Sequence, residues 1–281
     1  MDLKKIRLSP SSINSFYYCQ KKWYKTYVEK IRGKDSIHTI RGKAVHHACE
    51  HLFDADFVKS LPWTIGEALP ILKAKAQELF KTEWETYNET LSALELSMDE
   101  KNTYYTTSAN AINLFVERKV GDAMMFIDKG KVKRFNTAFK RVSPKFRELW
   151  VEDKEINSGG FIDAVQHDSY SDSIALIDYK TSMPHGEMLT VDYRRQLAIY
   201  ALLYWKQQKV KAKYVGIHYL MNNSTILLEV TDELIQFAED TINDVRNQIG
   251  DKGTDIENYS DTCRFKRTDG KWVEYKWNGI M

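Results

Sequence analysis

The run Ile174-Ala175-Leu176-Ile177-Asp178-Tyr179-Lys180 is apolar on both faces until it ends in two charges. A strand buried on both sides belongs in the middle of a sheet with helices packed above and below it. That feature directs the reading to an α/β fold rather than to a helical bundle or a sheet with one wetted face. It also poses a question of chemistry. Strand side chains alternate, so Asp178 and Lys180 emerge together at the carboxyl end of an otherwise buried strand.

The preceding segment, Gly160-Phe161-Ile162-Asp163-Ala164-Val165, has strand character and is joined to this run by the turn-rich stretch Ser169 to Ser173. A short connection makes an antiparallel hairpin, which brings Asp163 toward Asp178. Two buried carboxylates need a cation between them. Mg²⁺ or Mn²⁺ suits oxygen ligands, and the Lys180 ammonium would stand beside a metal-bound water and a reacting phosphate. Taken alone, the D-x-K triplet would be a solvated strand end with a weak salt bridge. The wider constellation decides against that.

Helix signals surround these strands. Ser9 is an N-cap with Pro10 at the first helical position, predicting a helix from Pro10 to about Val28. A second helix over about Arg41 to Phe53 sets His46 and Glu50 on one face. From about Pro62 to Lys129 the apolar period stays near 3.6, and Val191 to Gln207 is an amphipathic helix that places Gln196 and Tyr200 together. Leu149 to Val151 is another strand. Tyr214–Met221 and Thr225–Val230 form a hairpin, Thr231 caps a helix ending near Gly250, and the tail from Asp251 is expected to be irregular. No repeat or low-complexity linker interrupts the chain. The expectation is one domain over 1–281 with a helical insertion at 55–135 and a tail, 251–281, packing on the core.

Lys+Arg 41 against Asp+Glu 39 leaves a net charge of +2, too little for long-range steering, so nucleic-acid affinity would have to come from local patches. Candidates are Lys21 and Lys22 on the first helix, Arg194 and Arg195 beside Gln196, and Arg264, Lys266 and Arg267 in an aromatic-rich tail with Trp272, Tyr275 and Trp277. The same residues also read as a solvated helix face and a packed terminal strand. Cys19, Cys49 and Cys263 are an odd, scattered set without a CxxC pair, which argues against a secreted disulfide scaffold and for a reducing compartment. The polar, basic start lacks an apolar signal core, and no stretch approaches about 18 uncharged residues. A cytoplasmic protein, or one in the host cytoplasm if viral, is expected. His47 and His51 imitate a zinc pair, but no third nitrogen or sulfur ligand lies near them in the sequence.

Gly160-Phe161-Ile162-Asp163, Asp178-Tyr179-Lys180, Gln196 with Tyr200, and the upstream Gly42-x-x-x-His46 resemble the RecB-like branch of the PD-(D/E)XK nuclease superfamily, in that family's order. The opening Leu8-Ser9-Pro10-Ser11-Ser12-Ile13 through Phe16, Cys19 and Lys22-Trp23 looks like the amino-terminal helix of the same branch, so the resemblance spans about residues 8 to 205. It implies a restriction-endonuclease-like mixed sheet flanked by helices, with a helical lobe. It implies metal ligation by His46, Asp163, Asp178 and the Tyr179 carbonyl, a catalytic Lys180, and Gln196 and Tyr200 lining the site, with Glu155 as an accessory carboxylate and Glu152 as its rival. Iron–sulfur members of the branch, among them CRISPR-adaptation and AddB-type nucleases, use one amino-terminal cysteine and three near the carboxyl end. Cys19 and Cys263 stand at such positions without the other two, so no cluster is expected.

The expected activity is therefore metal-dependent hydrolysis of DNA. By analogy with the branch it is an exonuclease acting on ends, single-stranded ones favoured, in replication, recombination or repair, with a helicase or recombination protein as a partner. A structure- or site-specific endonuclease and a catalytically weak DNA-binding accessory module are the alternatives.

Overall fold

The computed structural model describes residues 3–31, 33–168, 173–184, 189–266 and 271–279. Five strands lie side by side in chain order: β1 (Phe146–Asp153), β2 (Ser158–Asp168), β3 (Ser173–Lys180), β4 (Tyr214–Tyr219) and β5 (Ser224–Glu229). β1, β2 and β3 are antiparallel neighbours, β3 and β4 run parallel, and β4 and β5 form a hairpin. The one parallel step needs a crossover, and helix α9 (Val191–Gln208) lies within it. This mixed sheet flanked by helices is the expected restriction-endonuclease-like α/β fold.

The remaining helices sort onto two faces. α1 (Pro10–Tyr18), α2 (Gln20–Trp23), a π-helical turn at Tyr24–Val28, α9 and α10 (Asp232–Lys252) share one apolar core with Val151, Leu176 and Val215 of the sheet. α3 (Ile37–His51), α4 (Ala55–Ser60), α5 (Ile65–Glu85), α6 (Asn88–Ala93), α7 (Met98–Asp128) and α8 (Phe135–Val142) build a second core on Ala164, Ile177 and Tyr179. β3 is thus covered on both sides, with Leu176, Ile177 and Tyr179 all buried. Burial of such apolar side chains on both sides is the main driving force holding the layers together.

Four expectations need correction. The first helix is not continuous to Val28, because Cys19 takes an extended conformation (φ −164°, ψ 104°) that separates α1 from α2. Cys19 is also disulfide-bonded to Cys263, so one cysteine pair does form and only Cys49 is free. α9 is not simply amphipathic: Leu197 through Tyr204 are all buried, as expected of a helix with a sheet beneath it and α1 and α10 packed against it. The tail is not irregular either. After α10 and a short 3-10 turn at Ile256–Asn258, β6 (Thr262–Lys266) and β7 (Trp272–Lys276) pair as a second, two-stranded sheet.

Candidate functional site

Asp178 is 3% exposed at the end of β3. Its Oδ1 accepts a hydrogen bond from Gln196 Nε2 at 2.6 Å, and Lys180 Nζ lies 2.5 Å from Oδ2. The period-two spacing of the strand puts Lys180 beside Asp178. The four-residue spacing on α9 puts Tyr200 beside Gln196, whose Nε2 also donates to the Tyr200 hydroxyl at 3.3 Å. Burial alone works to lower the Lys180 pKa, but the attraction of Asp178 and Asp163 outweighs it and holds the ammonium above its ordinary value. Lys180 is therefore a fixed cation at neutral pH. The Tyr200 phenol is pushed up by burial and by the same two carboxylates, and stays protonated.

Asp163 stands on β2 one step beyond the Ala164–Ile177 pair, in register with Asp178. Its Oδ2 accepts the main-chain N–H of Tyr179 at 2.6 Å and lies 3.5 Å from His46 Nδ1. His46 Nε2 is 2.9 Å from the Tyr179 carbonyl, and a carbonyl can only accept, so Nε2 must carry the hydrogen. Burial holds the imidazole below its ordinary pKa despite the pull of Asp178, leaving Nδ1 a lone pair in the neutral ring. That lone pair faces a carboxylate. Two acceptors turned toward each other suit a cation between them.

Sequence reasoning missed a third candidate ligand, Glu148 on β1. His46, Glu148 and Asp163 can each offer one atom such that all three lie within 4.8 Å of one another. Burial, then the charge of Asp163, pushes the Glu148 carboxyl up to about 7, and burial with Asp178 raises Asp163 well above its ordinary value. The backbone at Glu148 has φ 45°, a left-handed conformation rare for a non-glycine residue and common where a site dictates a side chain's position. The crowded carboxylates and the free histidine nitrogen fit a divalent metal. Asp178, the other expected ligand, is engaged by Lys180 and Gln196, and the Tyr179 carbonyl accepts from His46.

His46, Asp163, Asp178, Lys180, Gln196 and Tyr200 border a cavity of about 450 Å³ that also takes in Arg7, Pro10, Trp150 and Phe161. Trp150 and Phe161 are cross-strand partners with ring centroids 4.8 Å apart, and the Arg7 guanidinium lies 5.3 Å from the Trp150 ring. Phe161 is 52% exposed, an unusual state for phenylalanine on a sheet. It shares a strand face with Asp163, so an aromatic ledge adjoins the carboxylates. Gly160 keeps the floor low: a β-carbon there would come within 3.1 Å of Pro10 and 3.2 Å of Tyr200.

Other expected residues lie elsewhere. Glu155 is exposed in the β1–β2 turn, with its N–H bonded to Asp153, and does not enter the site; Glu152 pairs with Arg7. Arg195 is 7% exposed, donates to Asn14 and Asp192, and lies over the Tyr17 ring, so it braces α9 against α1 and is not free for a phosphate. Lys21 pairs with Glu257, while Lys22 and Arg194 are exposed. Arg264 donates to the Tyr17 carbonyl and lies over Trp272. Lys266 belongs to β6, and Arg267 lies outside the described residues. No described helix is long and apolar enough to cross a membrane.

The family model of the PD-(D/E)XK nuclease superfamily matches residues 7–272. No curated protein matches the chain. Among solved structures it is similar to one described as "Putative exonuclease" from Eubacterium rectale, at 12% identity over 88% of this chain and 82% of that one, with a TM-score of 0.47.

Proposed function

This chain belongs to the PD-(D/E)XK nuclease superfamily, and from that membership we propose that it is an exonuclease of the RecB-like branch. On this reading it hydrolyses phosphodiester bonds at DNA ends, single-stranded ends above all, with Mg²⁺ or Mn²⁺. The observation that carries the reading is the His46 Nδ1 lone pair turned toward Asp163, 3.5 Å away, beside a fixed Lys180 ammonium. His46, Glu148 and Asp163 would hold the ion, with Asp178 beside them.

When bound, the ion would supply Lewis-acid polarisation of a phosphoryl oxygen and a more acidic water. The chain's own residues do the rest. Lys180 places a positive charge next to the reacting phosphate and stabilises the charge that grows there. Gln196 fixes the Asp178 carboxylate, and Tyr200 fixes Gln196, so the acid keeps one orientation. The half-exposed Phe161 ledge supports the preference for unpaired substrate, because a base freed from a duplex offers a face to stack.

In the same reading residues 55–135 are a helical insertion and 251–281 a tail within one nuclease domain that works with a helicase or recombination protein in the cytoplasm. The test is degradation of linear single-stranded, linear duplex and covalently closed circular DNA with Mg²⁺, Mn²⁺ or EDTA, comparing the native chain with Lys180→Ala. Metal-dependent loss of linear DNA alone, abolished in the variant, supports the exonuclease. Cutting of closed circles would make it an endonuclease, and DNA binding without turnover under any metal would make it an accessory module.

A further inference from the structure

A second polar cavity, of about 200 Å³, lies under the other face of β3, where α7 crosses the sheet. Three of its polar lining side chains are more than nine-tenths buried: Lys119 is 7% exposed, His218 6% and Tyr179 4%. Buried polar groups are nearly always paired, and buried charges almost without exception. Here they are not. His218 Nε2 has no hydrogen-bond partner, and Tyr179 Oη has none within normal geometry, with the Gln166 amide turned toward it. Among the described residues the carboxylate nearest to Lys119 Nζ is that of Asp122, at 3.9 Å, beyond hydrogen-bond reach, and Arg118 lies closer to it, at 3.4 Å.

The chemistry of the missing partner follows from these groups. An ammonium and a phenol are donors, and the Gln166 amide at the same cavity offers a further N–H. His218 Nδ1 is 2.7 Å from the Thr225 hydroxyl; when that hydroxyl donates to Nδ1, Nε2 carries the hydrogen and becomes a donor as well. Arg118 is 46% exposed and carries its charge in solvent, whereas the buried Lys119 has, among the described residues, only the shared, distant Asp122 carboxylate to offset the burial that works against its charged form. Water can satisfy neutral donors but cannot balance a charge. A small oxyanion does both, and a cavity of this size admits inorganic phosphate but not a nucleotide.

We propose that the cavity bounded by Lys119, Tyr179 and His218 is an oxyanion-binding site, with inorganic phosphate as the type ligand. It is separate from the nuclease site, since Tyr179 turns its ring to this cavity while its main chain serves Asp163 and His46 on the other side. The proposal does not rest on the nuclease reading.

The test is isothermal titration of the full chain with sodium phosphate, in EDTA and in a Lys180→Ala background so that the catalytic cavity contributes no metal and no lysine. Sodium chloride at matched ionic strength is the control. Saturable phosphate binding is expected, absent with chloride, and weakened about tenfold or more by Lys119→Met, which keeps length and apolar packing but removes the charge. Tyr179→Phe keeps the ring and removes one donor, and should weaken binding severalfold; it decides the matter if Lys119→Met does not fold. Sulfate competing with phosphate would support an oxyanion site of shared chemistry. No saturable binding by the parent protein, or binding unchanged in the folded variants, would overturn the proposal and leave a water-filled cavity.

Discussion

The main-chain N–H of Tyr179 donates to Asp163 Oδ2 at 2.6 Å, so the residue between Asp178 and Lys180 ties that charge pair to the carboxylate of the neighbouring strand. The same residue's carbonyl accepts from His46, which links α3 to the tie. Side chains on three elements are thus oriented through the main chain of one residue, whose N–H and carbonyl belong to successive peptide groups, and no loop is needed to assemble them.

Lys180→Ala removes the cation but leaves that peptide tie in place. Turnover of a labelled single-stranded oligonucleotide under saturating Mn²⁺ is expected to fall about 100- to 1,000-fold, the scale of losing one preorganised charge. Lys180→Arg should recover little, since a planar fork does not replace a compact ammonium beside Asp178. Single-turnover rates separate this from binding. A fall of less than tenfold with the fold intact would remove Lys180 from the chemistry.

The crowded carboxylates set a pH dependence for the metal-free protein. Glu148 sits at about 7 when folded against an ordinary value of 4.5, and Asp163 is raised in the same direction. A raised acid binds its proton more tightly folded than unfolded, so stability is higher at low pH and falls as pH rises from about 4.5 through about 7. Melting in EDTA should therefore occur at lower temperature at pH 8 than at pH 5, with a shallower slope in Glu148→Gln. Added Mg²⁺ or Mn²⁺ should raise the melting temperature more at pH 8 than at pH 5, because only the ionised ligands bind.

Phe161 offers a way to separate substrate holding from chemistry. Phe161→Ala should raise KM for a single-stranded oligonucleotide about tenfold, within the range of one lost base–aromatic stack, and change kcat much less. Phe161→Trp should keep KM near the parent value. An equal change for blunt duplex and single strand would mean that the ledge does not select unpaired bases.

The Cys19–Cys263 bond joins residues 244 apart in sequence and fastens the β6–β7 hairpin at the break between α1 and α2. Tyr18 and Trp272, with centroids 5.7 Å apart, add an apolar contact at the same junction. Cys19→Ser is expected to lower stability by about 2–4 kcal/mol in oxidising buffer and to change nothing when both proteins are melted with excess dithiothreitol. Denaturant midpoints measured in both buffers check it.

What the sequence made legible were relations inside one element or across one tight turn. Asp178 with Lys180 follows from a period of two, Gln196 with Tyr200 from an i, i+4 spacing, and Asp163 from a short hairpin. Relations through packing did not show. Arg195 reads as a surface cation until Asn14, 181 residues away, is seen to take its guanidinium. Cys19 reads as helical until its partner on β6 is placed. The two-face burial of α9 is likewise decided by what lies above it, which no local pattern in the helix reveals.

Glu148 was readable in principle and is the sharpest contrast. In an antiparallel hairpin, paired residues are equidistant from the turn. The observed pairs Arg147–Ala164 and Leu149–Ile162 therefore set Glu148 opposite Asp163, while Glu155 lies in the turn itself. The family resemblance pointed to Glu155, and register points to Glu148. Glu148→Gln should cut the metal-dependent rate about 100-fold or raise the Mn²⁺ concentration needed for half activity about tenfold, the usual scale for disturbing a metal shell. Glu155→Gln should do neither, because its side chain is exposed away from the site. Metal titrations of the nuclease rate on both variants decide between them, and a larger loss in Glu155→Gln would mean that the hairpin register is not the one described.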